Sequence, residues 1–201
     1  MKLNLNVIKV VLGIIIVVLA YMLFESLMKP IRFEKAMKAR ESVVISRLLD
    51  LRNSEQIYKQ LNGRYMANFD TLITFLRNSD IPIVKKVADP SDTTFSRTII
   101  DTVGFVKVAD SLFGNRPKFS LDSLQYIPFT SGKRFDIQAG TIERGGVTVP
   151  VFQISAPYET FLKGLDKQLV INHIKSQLDL DRFPGLKVGS MEEPSTDGNW
   201  E

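Results

Sequence analysis

The sequence predicts an α+β fold: helices come first, a mainly antiparallel β-sheet follows, and a C-terminal helix comes near the end. Three observations predict it. The run Val10 to Phe24 contains no charged residue, and the stretch behind it repeats apolar side chains at helical spacing. After Ser79 the pattern changes to runs rich in β-branched residues. At Gly145-Gly146 paired glycines divide two alternating segments, which is the pattern of a tight hairpin.

The first element is a transmembrane helix. A helix crosses the roughly 30 Å hydrocarbon core with about 20 residues, and Val7 to Phe24 approaches that length if Lys9 snorkels to the interface. A cleaved signal peptide would also place Lys2 and Lys9 before an apolar stretch. Here the stretch exceeds the about 7 to 15 residues of a normal signal core, and Glu25-Ser26-Leu27-Met28-Lys29 offers no small-x-small cleavage site. We therefore read residues 1–29 as an uncleaved, single-pass membrane anchor whose first partner is the lipid bilayer. Lys29, Arg32, Lys35, Lys38 and Arg40 follow the span, and a literal positive-inside count would hold the rest of the chain in the cytoplasm. A very short basic N-tail before a long folded part is the shape of a signal anchor with an exported domain. On that shape we expect a bacterial inner-membrane protein with a periplasmic domain.

Residues 30–201 form the soluble domain, helical over 30–80, sheet over 81–156, helix and tail over 157–201. Pro30 either kinks a continuing helix or starts a new one. The amphipathic helix behind it runs to about Asn62, with Met37, Val44, Leu48, Leu51, Tyr58 and Leu61 on one stripe and Lys38, Arg40, Glu41, Arg47 and Lys59 on other faces. Gly63 is placed to end it in a left-handed conformation. Asn68 then caps a short helix, Phe69 to Arg77, with Leu72, Phe75 and Leu76 toward the core.

Two strands, Ile81 to Ala88 and Thr98 to Val108, flank the turn cluster Asp89-Pro90-Ser91-Asp92. Leu124 to Phe129 is a further short candidate strand. The hairpin pairs Arg134 to Glu143 with Val147 to Ile154, and Pro150, lacking an amide donor, marks its strand as an edge or a bulge. Val170, Ile174 and Leu178 mark a helix from about Leu165 to Leu180, ended by Pro184-Gly185. The Pro, Ser, Asp, Gly and Asn residues after Glu192 read as a loose tail.

Chemistry is sparse. With 26 Lys+Arg against 22 Asp+Glu the charge is nearly balanced, and the surplus gathers into no basic stripe interleaved with aromatics, which argues against nucleic acid. Zero cysteines leave no thiolate site and no disulfide, and His173 is the only histidine, so neither a two-histidine nor a thiolate metal centre is possible. His173 reads as a structural or surface residue. Asp179 with Asp181, or Glu192 with Glu193, are adjacent acids in polar segments and read as solvated. Gly185, Gly189 and Gly198 compose no phosphate loop. No catalytic residue, cofactor or metal is indicated, and the chain reads as non-enzymatic.

The stretch Tyr58-Lys59-Gln60-Leu61-Asn62-Gly63-Arg64-Tyr65, followed by Phe69-Asp70-Thr71-Leu72, is explained locally as a helix end, a glycine cap and an aromatic folding back. Together with the apolar N-terminal helix, it resembles the pilin and pseudopilin family of type IV pili and type II secretion, from the N-terminus to about Ser79. Gly13, inside the apolar run, and Glu25, after it, do not stand where that family has its leader glycine and early glutamate. The whole chain, including Gly164 to Val170 and Phe183 to Ser190, also looks like an uncharacterised family of small membrane-anchored bacterial proteins. The pilin resemblance implies a membrane-held, non-catalytic subunit of a cell-envelope assembly that contacts other envelope proteins or copies of itself. The alternative is an envelope binding module that recognises a protein or glycan. Under the assembly reading, partner contacts fall on the face of the second helix outside Val44, Leu48 and Leu51, where Arg40 and Arg47 lie.

Overall fold

A computed structural model describes residues 5–88, 98–116 and 118–201. It is α+β, as the change of period predicts. Helix α1 (Leu5–Asn62) is followed by α2 (Phe69–Asn78), strands β1 (Asp80–Ala88) and β2 (Thr98–Lys107), and a short α3 (Val108–Phe113). Strands β3 (Asp136–Arg144) and β4 (Val147–Pro157), helices α4 (Tyr158–Phe161) and α5 (Lys167–Leu178), and strand β5 (Gly185–Gly189) complete the order.

Helix α1 runs through Pro30 without a break, so the proline starts no new helix. It ends where expected: Gly63 has φ 73° and its N–H donates to the Lys59 carbonyl at 2.8 Å. Met37, Val44, Leu48, Leu51 and Tyr58 are buried, but Leu61, on the last turn, is exposed. The Asn68 carboxamide oxygen accepts from the Asp70 and Thr71 N–H groups, which satisfies two orphan donors of α2. Leu72 and Leu76 are fully buried on α2, and Phe75 stands edge-on to Tyr58 with ring centroids 4.8 Å apart.

Strands β1 and β2 pair antiparallel as a separate two-stranded ribbon, and the turn expected at Asp89 to Asp92 lies outside the described residues. Ile83 faces Gly104 and Val84 faces Thr102, which leaves Val103 as the extra residue of a bulge. The second sheet has the order β3-β4-β5, all antiparallel. Its hairpin turn is Gly145-Gly146, at φ 60° and 78°, where only glycine sits without strain.

Several expectations are corrected. Leu124 to Phe129 is reduced to one antiparallel bridge, Tyr126 with Arg134: residues Leu121–Gln125 form a 3-10 turn, Pro128 has no donor for a ladder, and Phe129 takes a left-handed φ of 63°. Strand β4 is the central strand of its sheet. Pro150 is still accommodated, because β5 pairs only with Gln153 to Pro157 and leaves the first half of β4 with one neighbour. The sheet is therefore completed by residues beyond 156, from the part expected to hold only helix and tail. On α5 the Val170 and Ile174 side chains pack against the core, whereas Leu178 is exposed. Pro184-Gly185 does not stop that helix; it leads into β5, with the Pro184 carbonyl accepting from the Tyr158 N–H. The tail is fastened along β5: the Gly189 N–H donates to the Asp197 carbonyl, the Asn199 N–H to the Lys187 carbonyl, and Trp200 packs on the core.

One contiguous core joins the elements. Val44, Leu48 and Leu51 of α1, Leu72 and Leu76 of α2, Phe152 and Ile154 of β4, Phe161 and Leu162 around α4, and Val188 of β5 are all fully buried within it. Burial of such side chains stabilises by roughly 1.5–3 kcal/mol each relative to exposure. The β1–β2 ribbon contributes little: Ile81 alone among its described side chains packs against this core.

Candidate functional site

Every residue from Ile8 to Phe24 is exposed, an arrangement that apolar side chains in water do not sustain. This part of α1 is long and apolar enough to cross a membrane. From Phe33 onward the same helix packs against the domain, so one continuous helix connects the candidate span to the core.

The two arginines expected on an open face are held by the domain's own carbonyls. Arg40 Nη1 donates to the carbonyls of Phe161, at 2.8 Å, and Lys163, at 2.9 Å, and its guanidinium lies over the Phe129 ring. Arg47 Nη1 donates to Ser123 Oγ at 2.8 Å and to the Ser123 carbonyl, while its guanidinium covers Phe119. Burial lowers the Arg47 pKa from its usual value, with Arg116 adding to the effect and Asp50 opposing it. Each arginine satisfies carbonyls left over by short irregular segments. That is a fastening role within the fold.

Two acidic residues of α1 are drawn inside as well. Asp50 accepts a bidentate pair from Arg116, at 2.7 and 3.0 Å, and the guanidinium lies against the stacked Phe113 and Phe119 rings. Glu55 is fully buried. Its Oε2 accepts from the Met66 N–H at 2.9 Å, and Oε1 has no partner among the described residues. Burial pushes its pKa up to about 7, against the downward pull of the Met66 N–H. Glu55 ties the turn between α1 and α2 to the helix. The sequence carried a signal for it, since Val44, Leu48, Leu51, Glu55 and Tyr58 step by four, three, four and three along one stripe.

His173 stands edge-on to Tyr158 at 4.7 Å between centroids, half-buried, and its Nε2 has no hydrogen-bond partner among the described residues. Burial raises the Tyr158 hydroxyl above its usual range, and Glu41 adds to the rise. Asp179, Asp181, Glu192 and Glu193 are exposed. Among the described residues no cluster of three or more metal-ligating side chains occurs.

Among the described residues after Phe24, the most exposed large apolar side chains are on the β1–β2 ribbon. Phe105 is 69% exposed and Val103 63%, and Ile83 and Val84 are half exposed. A two-stranded ribbon is marginal by itself in water, and apolar side chains on it gain nothing until something covers them. Comparison with protein-family models, curated proteins and solved structures finds no match to the chain.

Proposed function

We propose that the protein is a non-catalytic subunit of a cell-envelope assembly, held in the bacterial inner membrane by α1 with its domain on the periplasmic side. The observation that carries the reading is the pairing of an exposed apolar span with an exposed apolar ribbon in one chain. Lipid would cover the first. A protein partner, or another copy, would cover Val84 and Phe105, which share the ribbon face opposite Ile81 and Ile83, and Val103 in the bulge beside them. The bulge at Val103 supports this use, because bulges re-aim side chains where a ladder meets something else. Arg40 and Arg47 contribute by fixing the domain to α1, so that the ribbon is presented at a defined height above the bilayer.

Photo-crosslinking groups placed at Val103 and Phe105 in native membranes test the reading. It expects discrete protein adducts, lost when Val103→Ser and Phe105→Ser are combined, while the domain keeps its stability because both side chains are exposed. Persistent solitary monomers would overturn it. A single adduct to a soluble ligand protein or a glycan would favour a binding module instead.

A further inference from the structure

A cleft of about 820 Å³ lies between the turn at Phe129, helix α4 and the start of α5. Its apolar lining includes Phe129, Leu165 and Val170, and Lys133, Lys163 and Lys167 also line it. All three lysines are exposed, and none is in an ion pair among the described residues. Glu159 is the single acid in the lining. The cleft is therefore amphiphilic and cationic.

Phe129 is held there at a cost. Its φ of 63° is a left-handed conformation that an aromatic residue rarely adopts, yet its ring remains half exposed in the cleft, braced from behind by the Arg40 guanidinium. The location is equally specific. The same stretch of chain that lines the cleft, Gly164 to Val170, turns Asp166, Gln168 and Leu169 toward Tyr21, Met22, Glu25 and Lys29, where the apolar run of α1 ends. Arg40 fastens the preceding carbonyls to α1 only ten residues beyond Pro30, about 15 Å along the helix. If α1 spans the bilayer, the cleft opens beside the headgroup layer, which is several ångströms deep.

We propose that this cleft binds an anionic phospholipid of the surrounding membrane, its phosphate among Lys133, Lys163 and Lys167 and its upper acyl carbons against Phe129, Leu165 and Val170. The assignment rests on α1 being the membrane anchor. Charge decides the lipid class: three lysines against one glutamate favour a headgroup with net negative charge over a zwitterionic one. A lysine beside an anionic surface strengthens attraction roughly fivefold, so three together amount to a preference of roughly 100-fold.

The test uses the full chain in phosphatidylcholine nanodiscs with and without phosphatidylglycerol. Native mass spectrometry counts retained lipids, and amide hydrogen exchange follows residues 159–170. The wild type should retain phosphatidylglycerol preferentially and show slowed exchange at 159–170. The combined Lys133→Glu, Lys163→Glu and Lys167→Glu variant should lose both while β4 and β5 stay protected. Phe129→Asn, which relieves the left-handed residue and removes the ring, should reduce retention without unfolding. Equal retention by wild type and charge-reversed variant would overturn the proposal. So would equal protection by inorganic phosphate in phosphatidylcholine alone, which would make the cleft a site for a soluble anion. Release of the wild type from vesicles by alkaline carbonate would instead overturn the anchor, and with it this site.

Discussion

Replacing Glu55 with glutamine should make the fold more stable above neutral pH and leave it nearly unchanged in mild acid. The carboxyl is fully buried, its Oε1 has no partner among the described residues, and burial raises its pKa from 4.5 to about 7. The folded state thus holds the proton more tightly than the unfolded chain. Stability from the protonated carboxyl is complete below the unfolded value and is lost as pH rises to about 7. At about 1.4 kcal/mol per pH unit, the whole gap is worth up to ~3.5 kcal/mol, of which ~2.5 falls between about pH 5 and pH 8. Glutamine keeps an oxygen for the Met66 N–H and cannot ionise. Trp200, the only tryptophan, packs on the core and reports unfolding of the detergent-solubilised full chain by fluorescence in urea. Other titrating groups are common to both proteins and cancel in the difference. Glu55→Gln should match the wild type within about 1 kcal/mol near pH 5 and exceed it by about 2–3 kcal/mol near pH 8. A constant difference across that range would refute the reasoning.

Gly189 should be far less replaceable than Gly145, although both have positive φ. A Cβ at Gly189 would lie 2.2 Å from the Phe152 carbonyl oxygen, while at Gly145 it meets open space. In the same urea assay Gly189→Ala should cost about 2–5 kcal/mol and Gly145→Ala about 1–2 kcal/mol, and equal costs would show that β5 does not sit where described. Arg40→Ala and Arg47→Ala should each lower stability by about 1–3 kcal/mol, since carbonyls at Phe161, Lys163 and Ser123 lose charged donors. Lys38→Ala, which removes only the exposed pair with Glu34, should be silent.

The elements legible in the sequence are those whose signal is local. Asn68 capping α2, Gly63 ending α1 and Gly145-Gly146 turning the hairpin each depend on backbone needs that a few adjacent residues reveal. The stripe from Met37 to Tyr58 was legible because helical spacing repeats over six turns. What was not legible depends on distant partners. Strand β5 is five residues long and reads as a Pro-Gly loop until β4 is beside it. The stretch Leu124 to Phe129 carries β-forming residues, but its neighbours enforce a 3-10 turn and a left-handed Phe129. Arg40 and Arg47 look like solvated charges on a helix face, because the carbonyls that hold them are 76 residues or more away in sequence. Glu55 lay in plain view on the buried stripe, and only a tally of stripe positions by polarity would have flagged it.

The central claim is that α1 crosses the membrane and carries the domain on the outer side of it. Protease accessibility of the C-terminal domain in intact spheroplasts, followed by the same digestion after the membrane is opened, tests this directly. The account predicts digestion before opening, leaving a protected fragment that contains Ile8 to Phe24. Protection until the membrane is opened would place the domain in the cytoplasm, vindicate the charge count from Lys29 to Arg40, and contradict the envelope-assembly reading.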